Sequence, residues 1–391
     1  MQQKFNMVKK SKFKEIVSSN KNIIKDAEYF KLNYTPIEII ERKETFELYR
    51  ELSVFTKYRK SNNILLKGFP GSGKTVTINF IKKELTEMFK DIEVLYANCD
   101  SKSSSDILKV LTDSSIKNTF SNLINNFLES IKKDTLIILD EIDRSNKIES
   151  LLYALSRPSE TNKSFDKNIS LILVSNNLRW EDNMRDDIRS SLQLKTITFN
   201  SYSEYEIKNI LKERIKHGFN NIKAISNELI ELIARIISKD KRGDCRVAIE
   251  ALFNSAQLAE SKNRNEIAQE DMRQALRIAI NKSDKVLVSK LKDNQLLVLY
   301  LVTNLEFKSL DDLHKSYRDT IQKEKMNIKS ITRVMIFYII NYLDDLCLIE
   351  KSVITEMEGG VPRKRTKIIP KVDKEVVLDE LVIRGLRLSN Q

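Results

Sequence analysis

The chain has 391 residues, 41% of them hydrophobic, and it carries a formal net charge of +12. This length accommodates two or three domains, and its 16 Phe and 12 Tyr exclude a chain that is disordered throughout. The positive charge favours a polyanionic partner, although many lysine-rich proteins are simply soluble. Three widely separated cysteines and two histidines match no disulfide or metal spacing, which favours a reducing intracellular setting.

Residues 1–30 are predicted to form a basic N-terminal arm. Up to Lys25 the chain holds seven Lys and one Glu, and it lacks the apolar core of a secretory signal. We interpret the arm as a solvated tail, and contact with nucleic acid is the alternative. The longest apolar stretch, residues 334–343, is too short to cross a bilayer. The sequence therefore predicts a cytoplasmic, nucleoid-associated protein with no membrane partner.

A glycine-rich motif follows a short apolar run at residues 64–66. The sequence GFPGSGKT at 68–75 fits the phosphate-loop pattern at every fixed position. Gly71 and Gly73 let consecutive backbone N–H groups point at phosphate oxygens, and a helix predicted to begin near Lys74 adds its dipole. Lys74 is expected to reach the β- and γ-phosphates, and Thr75 to ligate Mg²⁺. The alternative is a glycine-rich turn that only resembles a phosphate loop.

The predicted ligands are ATP or ADP with Mg²⁺. Upstream of the loop, Tyr34 and Arg42 precede a helix-like segment, and such a segment often packs over the adenine ring. The predicted nucleotide-binding residues are Tyr34, Arg42, Gly68, Pro70, Gly71, Ser72, Gly73, Lys74, Thr75 and Val76.

Strand patterns alternate with helix patterns up to residue 200. They predict an α/β core over residues 31–200, with a parallel sheet between two layers of helices. The strand at 135–139 ends at Asp140 and Glu141. Asp140 is predicted to hold Mg²⁺, directly or through water, and Glu141 to polarise the attacking water. Asn176, which follows the next strand, is predicted to orient that water.

Beyond residue 200 the strand patterns stop. Four amphipathic helix patterns predict an all-helical lid domain over residues 201–283. The sequence Gly243-Asp244-Cys245-Arg246 comes just before its third helix. Arg246 is predicted to swing towards a bound γ-phosphate, and an ordinary surface arginine is the alternative.

Residues 284–391 are predicted to form a winged helix-turn-helix domain. Three helix patterns precede two strand patterns, and the segment 359–365 between the strands is rich in glycine and basic residues. The third helix would enter the major groove, and the basic hairpin tip would contact an adjacent groove or the backbone. Winged helices also bind proteins, so a protein partner is the alternative. The predicted DNA contacts of the tip are Gly360, Arg363, Lys364 and Arg365.

Together these motifs resemble the archaeal replication initiators of the origin-recognition and cell-division-control type, within the AAA+ ATPases. The resemblance covers nearly everything from Tyr34 to the wing. It rests on Tyr34-x-Pro36 with Arg42, GFPGSGKT, ILDEIDR, VSNNL, Tyr202-Ser203-x-x-Glu206, Gly243-Asp244-x-Arg246, Ser330-x-x-Arg333 and Arg365-Thr366-x-Ile368. It implies that Asn176 is sensor one, that Arg246 is sensor two, and that Ser330 and Arg333 at the third helix of the last domain contact DNA.

One position departs from the family pattern. The family usually places an arginine finger before a Ser-Ser-Leu run, and at that position this chain has Asp187. Arg189, or Arg185 one helical turn away, is the candidate substitute. Activation of hydrolysis by a neighbouring subunit is therefore left open. The segment 101–133 also looks short for the family's DNA-contacting insertion.

The resemblance implies an ATP-dependent initiator that recognises origin duplex DNA and is switched by ATP binding and slow hydrolysis. A second initiator paralogue and the replicative helicase are the further partners it implies. Two alternatives remain from the sequence. One is a motor or clamp-loader-type ATPase with sustained turnover, and the other is a signalling ATPase whose winged helix binds protein.

Overall fold

The computed structural model describes residues 23–36, 38–113, 118–307, 309–358 and 361–386, without the side chains of Asn183 and of residues 353–366. These residues divide into two compact units. The first comprises the described residues of 26–213 and 243–246, and the second comprises those of 23–25, 214–242 and 247–386. Most of the predicted basic arm lies outside the described residues, and the domain limits at 31, 201 and 284 stay predictions. Among the described residues, no helix combines the length and apolar character needed to span a bilayer.

A five-stranded parallel sheet forms the centre of the first unit, as predicted. The strand order is β2-β3-β4-β1-β5, and every adjacent pair is parallel. Parallel strands point the same way, so the carboxyl ends of the neighbours β1, β3 and β4 meet at one edge of the sheet. The strands are β1 Ile64–Gly68, β2 Ile92–Asn98, β3 Asp134–Asp140, β4 Ile169–Ser175 and β5 Lys195–Phe199.

Alternate residues of these strands supply two separate cores. On β3, Leu136 and Ile138 join the core on one face, and Ile137 and Leu139 join the core on the other. Both faces are buried, which explains why β3 and β4 read as continuous apolar runs and not as alternating patterns.

Helices cover both faces of the sheet. Helices α1 and α2 line one core, whereas α3, α4, α5 and α7 line the other. The helices of this unit are α1 Lys43–Tyr58, α2 Lys74–Met88, α3 Ser104–Leu111, α4 Phe120–Ser130, α5 Glu149–Ser156, α6 Pro158–Thr161 and α7 Asp186–Leu192, and α8 Glu204–Gly218 continues into the second unit. The segment between β2 and β3 is helical as predicted. Its first helix begins with a capping box formed by Ser103 and Asp106.

The second unit begins with a helical part, as the sequence predicts. Helices α9 Asn227–Asp240, α10 Cys245–Ser261 and α11 Gln269–Ser289 build it. Lys241, directly after α9, donates to both carboxylate oxygens of Asp284 on α11, at 2.7 and 2.9 Å, and both side chains are buried. The next residue, Arg242, pairs with Asp344 at 3.2 Å, near the end of a later helix.

A winged-helix arrangement completes the second unit. Helices α12 Asp293–Asn304, α13 Leu310–Lys323 and α14 Arg333–Asp345 precede the antiparallel strands β6 Ile349–Glu358 and β7 Val361–Pro370, and α15 Lys374–Ile383 follows. The hydroxyl of Ser309 caps α13, as predicted. Helix α15 packs Val376, Val377 and Leu381 into a hydrophobic core that it shares with α12, α13 and α14. This helix is absent from the sequence predictions.

The basic segment of the wing differs from its prediction. Arg363, Lys364 and Arg365 are not in the loop between the strands, because β7 already begins at Val361. Their backbones pair with those of Glu356, Thr355 and Ile354. The predicted loop placement is therefore wrong, and the cations belong to the strand itself. Gly360 and the side chains of the three cations lie outside the described part of the chain.

Candidate nucleotide site

The glycine-rich loop connects the end of β1 to the start of α2. Gly71 and Gly73 have φ values of +79° and +92°, which side-chain-bearing residues rarely adopt. Helix α2 begins at Lys74, so its N-terminus faces the loop as the motif requires. The predicted strand, loop and helix are thus all present in the predicted register.

Lys74 is buried, and its side chain packs against the phosphate loop. Its Nζ atom donates to the carbonyl oxygens of Gly68, at 2.8 Å, and of Phe69, at 3.0 Å. Burial lowers the pKa of Lys74 to about 8, although the negative charge of Asp140 acts in the opposite direction. Lys74 thus lies at the phosphate loop as the motif predicts, and its contact with phosphate stays a prediction.

The two predicted magnesium ligands lie together. The hydroxyl of Thr75 donates to a carboxylate oxygen of Asp140 at 3.1 Å, and the hydroxyl of Tyr96 donates to the same oxygen at 3.2 Å. Burial raises the pKa of Asp140, and the hydrogen bond from Thr75 opposes that rise. One hydroxyl and one carboxylate fit Mg²⁺, which commonly takes few protein oxygens and completes its shell with water and phosphate. Within the described residues, no cluster of three His, Cys, Asp or Glu side chains offers a self-sufficient metal site.

Glu141 and Asn176 follow neighbouring strands at the same edge of the sheet. Glu141 has a φ of +56°, and its carboxylate lies 3.9 Å from the guanidinium of Arg144. The backbone N–H of Asn176 donates to Asp143 at 3.0 Å, which ties the end of β4 to the segment after β3. The structure therefore brings the predicted base and the predicted water-orienting amide to the edge that carries Lys74 and Asp140.

Arg42 is buried among protein groups. Its Nη1 donates to the carbonyl of Ser72 at 3.0 Å, its Nη2 to that of Asn200 at 2.9 Å, and its Nε to Glu206 at 2.7 Å. Its guanidinium also lies 4.5 Å from the ring centre of Tyr202. These contacts make Arg42 a support of the phosphate loop, and its contact with adenine stays a prediction.

Tyr34, the other predicted adenine neighbour, packs against an aromatic ring. Its ring centre lies 4.9 Å from that of Tyr29, at an angle of 50°. Contact between Tyr34 and adenine also stays a prediction.

Two side chains that received no predicted role press against the glycines of the loop. A Cβ atom at Gly73 would lie 2.0 Å from the hydroxyl of Tyr202, and one at Gly71 would lie 2.0 Å from Oδ1 of Asp244. Both residues belong to motifs that carried the family resemblance, yet nothing local in the sequence shows what they touch. The absence of a side chain at Gly71 and Gly73 is thus required by sterics as well as by backbone conformation.

Arg246 is paired with Asp244. Its Nε and Nη2 atoms donate to the two carboxylate oxygens at 2.9 and 2.6 Å. The pair lies beside the phosphate loop, because Asp244 is also the residue against Gly71. The structure thus places the predicted sensor arginine next to the loop and gives it a carboxylate partner.

The two candidate arginine fingers lie at α7. Arg185 forms a bidentate pair with Asp187, at 3.1 and 2.7 Å. Asp187 is the residue found at the family's usual arginine position. Arg189 donates to the backbone carbonyl of Glu181 at 2.5 Å. Action of either arginine on a neighbouring subunit stays a prediction.

The predicted DNA-contacting residues of the third winged-helix helix are exposed. Ser330 precedes α14 by three residues, and it is Thr332 whose hydroxyl caps the helix. Arg333 opens the helix and forms an ion pair with Asp311 at 2.6 Å. The exposed large hydrophobic side chains of this helix are Val334, Met335, Phe337, Tyr338 and Tyr342. The sequence predicts an apolar face on this helix, but it does not predict that the face is exposed.

Comparison with known proteins gives matches along nearly the whole chain. A family model described as an AAA domain matches residues 58–181, and one described as a Cdc6 AAA+ ATPase-type lid domain matches residues 208–277. The chain is 28% identical over 400 residues to the ORC1-type DNA replication protein 1 of Sulfurisphaera tokodaii, a match that covers 96% of this chain and 98% of the relative.

Two solved structures from Aeropyrum pernix share the fold. The ORC2 protein, in ADPNP–ADP complexes, matches with a TM-score of 0.69 and 20% identity, over 94% of this chain and 100% of that one. The ORC1 protein in complex with DNA matches with a TM-score of 0.64 and 20% identity, over 93% and 99%. The chain thus contains an AAA domain and a Cdc6-type lid domain, and along nearly its whole length it is similar to the archaeal ORC1-type replication proteins.

Proposed function

We propose that the chain is an ATP-switched replication initiator that recognises origin duplex DNA. The observation that carries the ATP part is the meeting of Lys74, the Thr75–Asp140 pair and Glu141 at one edge of the parallel sheet. These are the groups that phosphoryl chemistry needs for charge neutralisation, metal binding and activation of water.

Each of these residues has a separate task in ATP hydrolysis. Lys74 exchanges its loop carbonyls for the β- and γ-phosphates. Thr75 and Asp140 hold Mg²⁺, which neutralises phosphate charge when bound. Glu141 takes up the proton of the attacking water, and Asn176 orients that water. Turnover is slow in this proposal, because the useful product is a change of conformational state.

The DNA part rests on the winged-helix arrangement and on its charge. The strand β7 carries Arg363, Lys364 and Arg365 in succession, and three cations in one wing suit the phosphates of a duplex. The ORC1 protein of Aeropyrum pernix, which shares the fold, is described in complex with DNA. In this proposal the wing provides affinity, and α14 contributes apolar contacts of the kind that thymine methyl groups accept.

A second candidate function is a winged helix that binds a protein. The apolar face of α14 favours it, because the side chains of Val334 and Tyr338 are 60% and 59% exposed and Arg333 is neutralised by Asp311. Such a partner would fit the implied second initiator paralogue or the replicative helicase.

The proposed function is tested by duplex binding as a function of salt, in the wild type and in the triple variant Arg363→Ala/Lys364→Ala/Arg365→Ala. If each cation neutralises one phosphate, the triple variant loses about 2.7 units of the log-affinity versus log-salt slope. The matched control is Lys282→Ala/Lys285→Ala on α11, which removes exposed lysines from the same unit.

Three other outcomes decide between the alternatives. No duplex binding by the wild type would favour the protein-binding winged helix. Fast, DNA-stimulated turnover in a closed ring would favour a motor or clamp loader. ATP binding by Lys74→Ala as tight as that of the wild type, measured by calorimetry, would show that the nucleotide site is misplaced.

A further inference from the structure

Asp244 makes two contacts at the nucleotide site. Its carboxylate accepts both forked N–H groups of Arg246, at 2.9 and 2.6 Å, and it lies against Gly71 of the phosphate loop. The Asp244 side chain is mostly buried, at 15% exposure, whereas that of Arg246 is 47% exposed. The carboxylate is therefore the fixed partner of this pair, and the guanidinium is the one with room to move.

The pair sets up a competition between two anions. A guanidinium recognises carboxylate and phosphate through the same planar fork of N–H donors. In the proposed function, Arg246 uses this fork on the γ-phosphate. Nε and Nη2 already donate to Asp244. Contact between these two donors and the γ-phosphate therefore requires the Arg246–Asp244 ion pair to break.

We propose that Asp244 is a positioning residue that withholds Arg246 from the nucleotide until a γ-phosphate competes for it. The inference rests on the proposed function, because it takes the loop at residues 68–75 as an ATP site. ADP has no γ-phosphate, so it leaves the Arg246–Asp244 pair intact. ATP binding gains the contact between its γ-phosphate and the guanidinium, but it must break the Arg246–Asp244 pair, which makes ATP binding weaker than it would be without that pair. Asp244 thus lowers the preference of the site for ATP over ADP.

The test is Asp244→Asn, with the affinities for ADPNP and ADP measured by calorimetry. ADPNP is used so that hydrolysis does not distort the result. Asn keeps an oxygen for the backbone N–H of Arg246, which donates to Asp244 at 3.1 Å, so the start of α10 stays capped. The variant should raise the ratio of ADPNP affinity to ADP affinity by about two- to fivefold, as expected for loss of one partly exposed ion pair.

A double-mutant cycle separates a role through Arg246 from a purely structural one. In the Arg246→Ala background, Asp244→Asn should leave the affinity ratio unchanged, because no guanidinium remains to be released. The matched control is Asp379→Asn, which removes a carboxylate from the exposed Lys285–Asp379 pair of the second unit. This control should leave both affinities as in the wild type.

Two results would overturn the inference. A ratio that is unchanged or lower in Asp244→Asn would mean that the carboxylate does not withhold the arginine. The same rise in the Arg246→Ala background would mean that Asp244 acts on the loop directly. Wild-type protein that binds neither nucleotide would refute the proposed function as well, whereas tight wild-type binding with an unchanged ratio refutes this inference alone.

Discussion

Replacement of Arg42 by Ala tests how strongly the phosphate loop depends on a residue outside it. The Arg42 side chain is 5% exposed, and it connects the carbonyl of Ser72 to that of Asn200 and to the carboxylate of Glu206. Arg42→Ala removes all three donors at once. It leaves two acceptor carbonyls and a partly buried carboxylate without this partner.

The size of the loss follows from these contacts. Breaking a buried ion pair by removing one partner costs about 3–5 kcal/mol. Glu206 still accepts hydrogen bonds from the backbone N–H and the hydroxyl of Ser203, at 2.7 and 2.8 Å, so the lower end of that range applies. We expect Arg42→Ala to lose about 3 kcal/mol of unfolding free energy. Arg42→Lys should lose about 1–2 kcal/mol, because it keeps the charge but not the planar fork.

Urea unfolding followed by tryptophan fluorescence measures the unfolding free energy of the structural unit that contains Arg42. The chain has one Trp, residue 180, and it belongs to the unit that contains Arg42. The matched control is Arg50→Ala on α1, the helix that begins directly after Arg42; the side chain of Arg50 is 72% exposed and pairs with Glu51 at 3.3 Å. That control should change stability by less than about 0.5 kcal/mol. ATP affinity should fall in Arg42→Ala alone, because Ser72 loses its tether.

A single result would refute this reasoning. If Arg42→Ala loses less than about 1 kcal/mol relative to Arg50→Ala, the buried contacts of Arg42 do not support the loop.

Three further predictions concern the pH dependence, the catalytic base and the winged helix. The pKa of Lys74 is lowered to about 8, and only the charged form attracts phosphate, so ATP affinity should be constant near pH 7 and fall up to about tenfold per pH unit above 8. Constant affinity up to pH 10 by calorimetry would contradict this. Glu141→Gln should keep ATP bound but slow its cleavage at least about a hundredfold, and ATP loss comparable to that of Lys74→Ala would contradict the assigned role. Val334→Ala/Tyr338→Ala should weaken duplex binding with an unchanged salt slope, because apolar side chains release no counterions. The exposed Ile383→Ala on α15 is its control, and unchanged affinity in the double variant would remove α14 from the interface.

Local patterns predicted the parts of the site that are contiguous in sequence. The strand before Gly68, the helix from Lys74 and the carboxylates after β3 each follow from a motif joined to an apolar period. The same local logic failed at the wing, where a Pro and several charged residues after Gly359-Gly360 suggested a loop. Antiparallel pairing with β6 extends the strand through these residues to Val361.

The contacts of Tyr202 and Asp244 were beyond any local pattern. Each is far in sequence from the glycine it touches, and the contacts exist only because the end of β5 and the start of α10 meet the phosphate loop in the folded unit. A motif shows that such residues matter to a family, but it does not show what they touch. The exposure of the apolar face of α14 was missed for a different reason: helical spacing shows that these residues share a face, but spacing alone does not distinguish an exposed face from a buried one.

Four consecutive residues, 241–244, each make a close contact. At one end, Lys241 is fastened to Asp284, and Arg242 to Asp344 near the end of α14. Two residues later, Asp244 rests against Gly71. Gly243, which precedes Asp244, is crowded as well, since a Cβ atom there would lie 2.2 Å from the carbonyl oxygen of Tyr202. Gly243 thus combines a φ of +67° with a position that has no space for a Cβ atom, so any other residue there would strain the segment that places Asp244 against the phosphate loop.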